Sequence, residues 1–105
     1  MANRHRGEIE AEIGGARRRL VLTLGALAEL EAAFGAGDLG ALAERFAAGR
    51  LKAQDLVRII AAGLRGAGEG VTDEDVSRMT MPDGAEGYVK LAVALIEAAF
   101  GTDRA

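Results

Sequence analysis

A chain of 105 residues, half of them apolar and 28% charged, has the balance of one folded domain and is too short for two. It carries no cysteine and a single histidine, His5. That excludes a disulfide framework and thiolate chemistry, and leaves zinc sites and histidine triads without material. The net charge of −3 is uneven, because residues 1–19 hold five arginines against three glutamates while the remainder is acidic. A broad basic face for nucleic acid is therefore not expected.

Residues 1–7 read as a frayed tail. Its arginines lead into Gly7-Glu8-Ile9-Glu10 rather than an apolar segment, so no targeting signal is expected. No apolar run approaches the length that spans a bilayer. The expected setting is cytoplasmic, with no membrane contact.

Glu8 to Ile13 alternates polar and apolar residues, the period of a half-buried strand. Gly14-Gly15 suits a two-residue loop with positive φ at both central positions. Pairing across it sets Ile13 opposite Ala16, Glu12 opposite Arg17, Glu10 opposite Arg19 and Ile9 opposite Leu20. The two opposite-charge pairs share the solvent face, each worth about 0.2–1 kcal/mol. Ile9, Ala11, Ile13, Ala16, Leu20 and Leu22 share the other face, with Arg18 the odd member, at the hairpin's edge.

From Thr23 the period changes to that of a helix. Leu24, Leu27, Leu30 and Phe34 follow the Thr23 cap as far as Gly35. A second helix starts at the Asp38 cap, carries Leu39, Leu42, Ala43 and Phe46, and stops at Gly49. A third is anchored by Leu56, Ile59, Ile60 and Leu64 and dissolves in Gly66 to Gly70. Thr72-Asp-Glu-Asp75 opens a short fourth helix with near-capping-box chemistry and acids at the positive end of its dipole. Pro82 and Gly84 interrupt it. The last helix runs from about Gly84 to Phe100, with Val89, Val93, Ile96 and Phe100 on one stripe and Gly101 beyond. The fold class is α+β: a single domain with a hairpin over residues 8–22 and a helical part over 23–100, about five short helices in all. A two-stranded sheet needs a helical backing, and the first helix, which follows the second strand without a loop, is the natural partner. Phe34, Phe46 and Phe100 punctuate a core of small aliphatics.

No catalytic constellation emerges, and no enzyme is expected. Gly35-Ala-Gly-Asp-Leu-Gly40 matches G-x-G-x-x-G and Asp55 lies 20 residues beyond Gly35, but a dinucleotide loop follows a strand. Here the motif follows a helix and reads as a helix–helix turn. Asp73-Glu74-Asp75 lacks the spacing of a calcium loop and reads as helix capping. Ser77 has no histidine near it, and Lys52 and Lys90 read as exposed helical positions. No cofactor and no metal are called for.

Several stretches carry a family resemblance: the hairpin, Leu22-Thr-Leu-Gly-Ala-Leu-Ala-Glu-Leu-Glu31, the run from Gly49 through Arg50-Leu-Lys-Ala-Gln-Asp to Leu56, and Gly63-Leu-Arg-Gly-Ala-Gly68. Together they resemble the tail protein family of gene transfer agents and related tailed phages. That family is labelled phage tail tube and also described as a tail assembly chaperone. The resemblance spans roughly residues 5–100 and is weakest over Met79 to Tyr88. It implies partners among phage-like tail proteins, namely the tape-measure and tail tube proteins, and activity during virion assembly.

A tube subunit needs several long strands to close a ring with its neighbours, and strand pattern is confined to residues 8–22, so the chaperone role fits better. The alternatives are a structural tail component, or a small regulatory or DNA-associated adaptor acting through the arginine cluster; Glu–Arg pairing and the acidic remainder oppose the last. An open hairpin edge is a template for strand addition or self-association. The expected partner-binding residues are Arg17, Arg18 and Arg19 with Glu29 on the first helix. The competing reading is a solvated edge whose arginines guard it against aggregation.

Overall fold

The computed structural model describes residues 7–48 and 51–100. Of the tail expected over residues 1–7 only Gly7 is among them. His5, Gly49 and Gly101 lie outside the described residues.

Strands β1 (Glu8–Ile13) and β2 (Ala16–Val21) form an antiparallel hairpin in the expected register, Ile13 against Ala16 and Glu10 against Arg19. Gly14 and Gly15 take φ values of 63° and 81°, the left-handed pair that matches the hairpin's twist. Ile9, Ile13 and Leu20 are buried on the inner face, with Leu22 just beyond β2. Each contributes about 1.5–3 kcal/mol of apolar transfer.

Five helices follow: α1 (Leu24–Phe34), α2 (Leu39–Ala47), α3 (Ala53–Gly66), α4 (Asp73–Ser77) and α5 (Gly84–Phe100). Their starts are set locally. The Thr23 hydroxyl accepts from the Ala26 N–H at 3.1 Å, and the Asp38 carboxylate accepts from the Ala41 N–H at 2.8 Å. Thr72 and Asp75 form a reciprocal capping box at 3.0 and 2.9 Å. Gly35, at φ 69°, ends α1 in the left-handed conformation. The glycine-rich stretch from Gly35 to Gly40 is thus a C-cap followed by an N-cap, and Asp73 to Asp75 is a capped first turn. At α3 the Lys52 N–H donates to the buried Asp55 carboxylate at 3.0 Å.

Helix α3 is the axis of the molecule. Residues Ile59 through Leu64 are buried without interruption, which requires neighbours on every side. Those neighbours are β2, α1, α4 and α5. Contrary to expectation, α1 is not the hairpin's backing. The sheet lies on α3 and α5, while α1 packs against α3 and α2. Two glycines explain the choice. A Cβ on Gly66 would stand 2.1 Å from the Val21 carbonyl oxygen, and one on Gly63 would stand 2.6 Å from Leu95 Cδ2 and 3.3 Å from Leu20 Cβ. Only a bare backbone lets β2 come so close. α1 and α2 are joined instead by an edge-to-face pair, Phe34 and Phe46, with ring centroids 5.5 Å apart. Arg45 lies over the Phe34 ring at 5.0 Å.

Three further expectations are corrected. The buried face of α5 carries Leu91, Ala92 and Leu95; Val89 and Val93 on the expected stripe are 43% and 42% exposed. Leu24 is 77% exposed and Leu39 40%, since the buried faces of α1 and α2 begin further along, at Ala26 and Leu42. Of the three phenylalanines Phe46 is buried, whereas Phe34 and Phe100 pack at the core's margin. Among the described residues no helix is long and apolar enough to cross a membrane.

Candidate interaction surface

The hairpin's outer face is bare. It presents Glu10, Glu12, Arg17 and Arg19 to solvent, because the pleat sends the intervening residues inward. Arg17 Nε reaches diagonally to Glu10 at 3.5 Å rather than straight across to Glu12. Each strand of a two-stranded sheet has one edge without a strand partner, and on β2 that edge carries the arginines.

Arg18 belongs elsewhere. It projects from the inner face, as its register opposite Ala11 requires, and is drawn inward instead of standing at the edge. Its Nε donates to the Ile13 carbonyl at 2.8 Å and its guanidinium to the Glu69 carboxylate at 2.6 Å. The hairpin turn is thereby tied to the loop between α3 and α4. A second tie acts at the same end, where the Gly14 N–H donates to the Thr80 carbonyl at 2.8 Å.

Glu29 lies on α1 in a separate cluster. It accepts from Arg65, which also donates to the Val71 carbonyl at 3.0 Å and to Asp73 at 3.2 Å. The hydrogen bond that Arg65 donates to Glu29, ahead of the other causes, holds the Arg65 guanidinium above its ordinary range against the opposing effect of burial. Arg65 therefore joins α1, α3 and the entry to α4. Of the four residues expected to meet a partner, Arg17 and Arg19 share one exposed face, Arg18 faces the interior, and Glu29, itself exposed, is engaged by Arg65.

A further surface lies between α2 and α5. Ala43, Phe46, Ala47 and Leu51 face Val93, Ile96, Glu97 and Phe100 across a groove of about 340 Å³. Its walls are α2 and the C-terminal half of α5. A smaller apolar hollow of about 180 Å³ lies among Leu56, Val57, Val76, Met79 and Tyr88; the Tyr88 hydroxyl there donates to the Met79 carbonyl. The sequence holds a signal for the first groove, since Val93, Ile96 and Phe100 of the expected α5 stripe line it. Among the described residues no group of three or more histidines, cysteines or carboxylates could hold a metal ion.

Comparison with protein-family models matches residues 6–102 to a family described as phage tail tube protein, GTA-gp10. No curated protein and no solved structure gave a match.

Proposed function

The chain belongs to the GTA-gp10 phage tail tube protein family, and on that footing we propose that it is a tail assembly chaperone. It binds the tape-measure and tail tube proteins while a gene-transfer-agent or phage-like tail is built, and it leaves the finished particle. The observation that supports this reading is the strand inventory. Among the described residues the sheet consists of β1 and β2 alone, and each strand has six residues. A ring of subunits closed by strand pairing needs tilted, laterally paired strands all round its wall, and this chain offers far fewer than a tube subunit would. A mainly helical body with one open hairpin suits transient capture through strand addition. It carries out no chemistry; its work is binding.

The family's description favours a second reading, in which the protein is a structural component that stays in the tail. The two readings part on stoichiometry. Quantitative mass spectrometry of purified particles is expected to find the chain absent, or far below tube copy number. Co-expression with candidate tail proteins is expected to recover a soluble complex with tape-measure or tube protein. Recovery of the chain at tube-like copy number in mature particles overturns the chaperone reading.

A further inference from the structure

The geometry points to the chemistry of the partner: the outer edge of β2 takes an extended protein segment whose alternate residues are acidic. The proposed capture of tail proteins supplies the setting, and the inference rests on it for the segment's source alone. In a hairpin with a two-residue turn the pair flanking the turn exchanges both hydrogen bonds, and every second pair after it does the same. Ile13 with Ala16, Ala11 with Arg18 and Ile9 with Leu20 are those pairs. Arg17 and Arg19 therefore turn their backbone N–H and C=O groups away from β1, and among the described residues nothing bonds to them there. The open stretch ends at Val21, whose carbonyl lies against Gly66 of α3. An extended segment laid antiparallel along it bonds to Arg17 and Arg19 through alternate residues. The side chains of those residues fall beside the two guanidinium groups on the solvent face.

Charge and bulk name the occupant. Acidic side chains at those positions repeat the glutamate–arginine ladder that β1 and β2 already form. Arg19 has no partner among the described residues, and the Arg17 side chain is 68% exposed in spite of its diagonal pair with Glu10. The edge of β1 offers less, since Glu8 and Glu10 are both engaged. A second copy of the chain does not fit. Its β2, laid antiparallel, would bring arginine against arginine. Its β1, laid antiparallel, would place two helical bodies on the same side of one sheet, about 10 Å apart at the ordinary strand spacing. The body is 24 Å across in its narrowest dimension, so the two would collide. Either strand laid parallel would turn the second copy's charges to the face opposite Arg17 and Arg19.

Synthetic peptides test this with the full chain and without any tail protein. The probe is a short fluorescein-labelled peptide in which glutamate alternates with valine and threonine, followed by fluorescence anisotropy. It is expected to bind at least roughly tenfold more tightly than the same peptide with lysine in place of glutamate. N-methylation of the amides that would face β2 keeps the charge and is expected to weaken binding at least roughly tenfold. Arg17→Glu with Arg19→Glu, checked for retained fold by circular dichroism, is expected to reverse the preference towards the lysine peptide. Hydrogen exchange is expected to slow at the Arg17 and Arg19 amides when the acidic peptide is bound, and to stay unchanged at Glu10 and Glu12. Absence of binding overturns the inference, as does equal binding of the two peptides. Undiminished binding of the N-methylated peptide reduces the edge to simple charge attraction and overturns it too, and protection at Glu10 and Glu12 instead moves the site to β1. Protection of Arg17 and Arg19 that grows with the concentration of the chain alone makes a second copy the occupant and overturns it as well. Peptide binding as expected, with no capture of tape-measure or tube protein in co-expression, supports the edge and counts against the tail reading alone.

Discussion

Arg18 and Glu69, 51 residues apart in the chain, are joined by an ion pair of 2.6 Å. The contact turns one of three consecutive arginines into an internal strut, with its Nε on the Ile13 carbonyl and its guanidinium on the loop after α3. Arg17 and Arg19 remain on the solvent face. The arginine run is therefore two devices in one: a pin for the hairpin turn, and a charged face beside an open strand edge.

Arg18→Met is expected to lower stability by about 1–2 kcal/mol, because it removes two charge-assisted hydrogen bonds and leaves a half-buried carboxylate. Arg17→Ala is expected to change stability by less than about 0.5 kcal/mol, as exposed pairs of this kind do. Urea denaturation of the two variants side by side measures the contrast.

The double charge reversal Arg17→Glu with Arg19→Glu, keeping Arg18, isolates the exposed face. The variant is expected to retain the wild-type circular dichroism spectrum. Its capture of a tail partner in co-expression is expected to fall at least roughly tenfold, since like-charge contacts at an interface both slow and weaken association. Unchanged capture by a folded variant takes the hairpin face out of the interface. Reversing all three arginines would confuse the two roles, because it also removes the pin.

Gly66→Ala places a Cβ against the Val21 carbonyl, a backbone atom with no rotamer through which to yield. The expected loss is at or above the top of the ~1–3 kcal/mol range for overpacking, read as a fall in the urea midpoint. Gly70, whose added Cβ would meet nothing within 4 Å, serves as the control, and Gly70→Ala is expected to be near neutral or slightly stabilising.

Asp75 supplies a pH signature. The hydrogen bond from the Thr72 backbone N–H, then that from the Thr72 hydroxyl, and finally the charge of Arg78 hold its carboxyl below the ordinary 3.8. A group with a depressed folded-state value stabilises the fold above its unfolded value and loses that contribution as pH falls through the folded one. The carboxyl is expected to titrate below 3.8 by NMR. Asp75→Asn is expected to flatten the acid limb of the stability profile while leaving its shape above pH ~5 unchanged. A carboxyl that titrates at the ordinary value contradicts the capping box.

What the sequence settled by itself was everything decided within a few residues. The alternation of Glu8 to Ile13 and the Gly14-Gly15 turn determine the hairpin's register, because positive φ at two adjacent positions admits few connections. Thr23, Asp38 and Thr72 mark helix starts, because each cap bonds to a backbone N–H only three residues on. The partners of those elements are decided over longer range. α5 offers apolar residues on two faces, and its own periodicity cannot say which of Leu91–Leu95 or Val89–Val93 turns inward. That choice was made by β1 and α3, which had already covered one side. Likewise Gly66 reads locally as the fraying end of a helix, and only the approach of β2 shows it, with Gly63, to be the seat of the sheet. Arg18 was legible as an anomaly on an apolar face, but its partner Glu69 lies in a loop that only the tertiary fold brings to the hairpin turn.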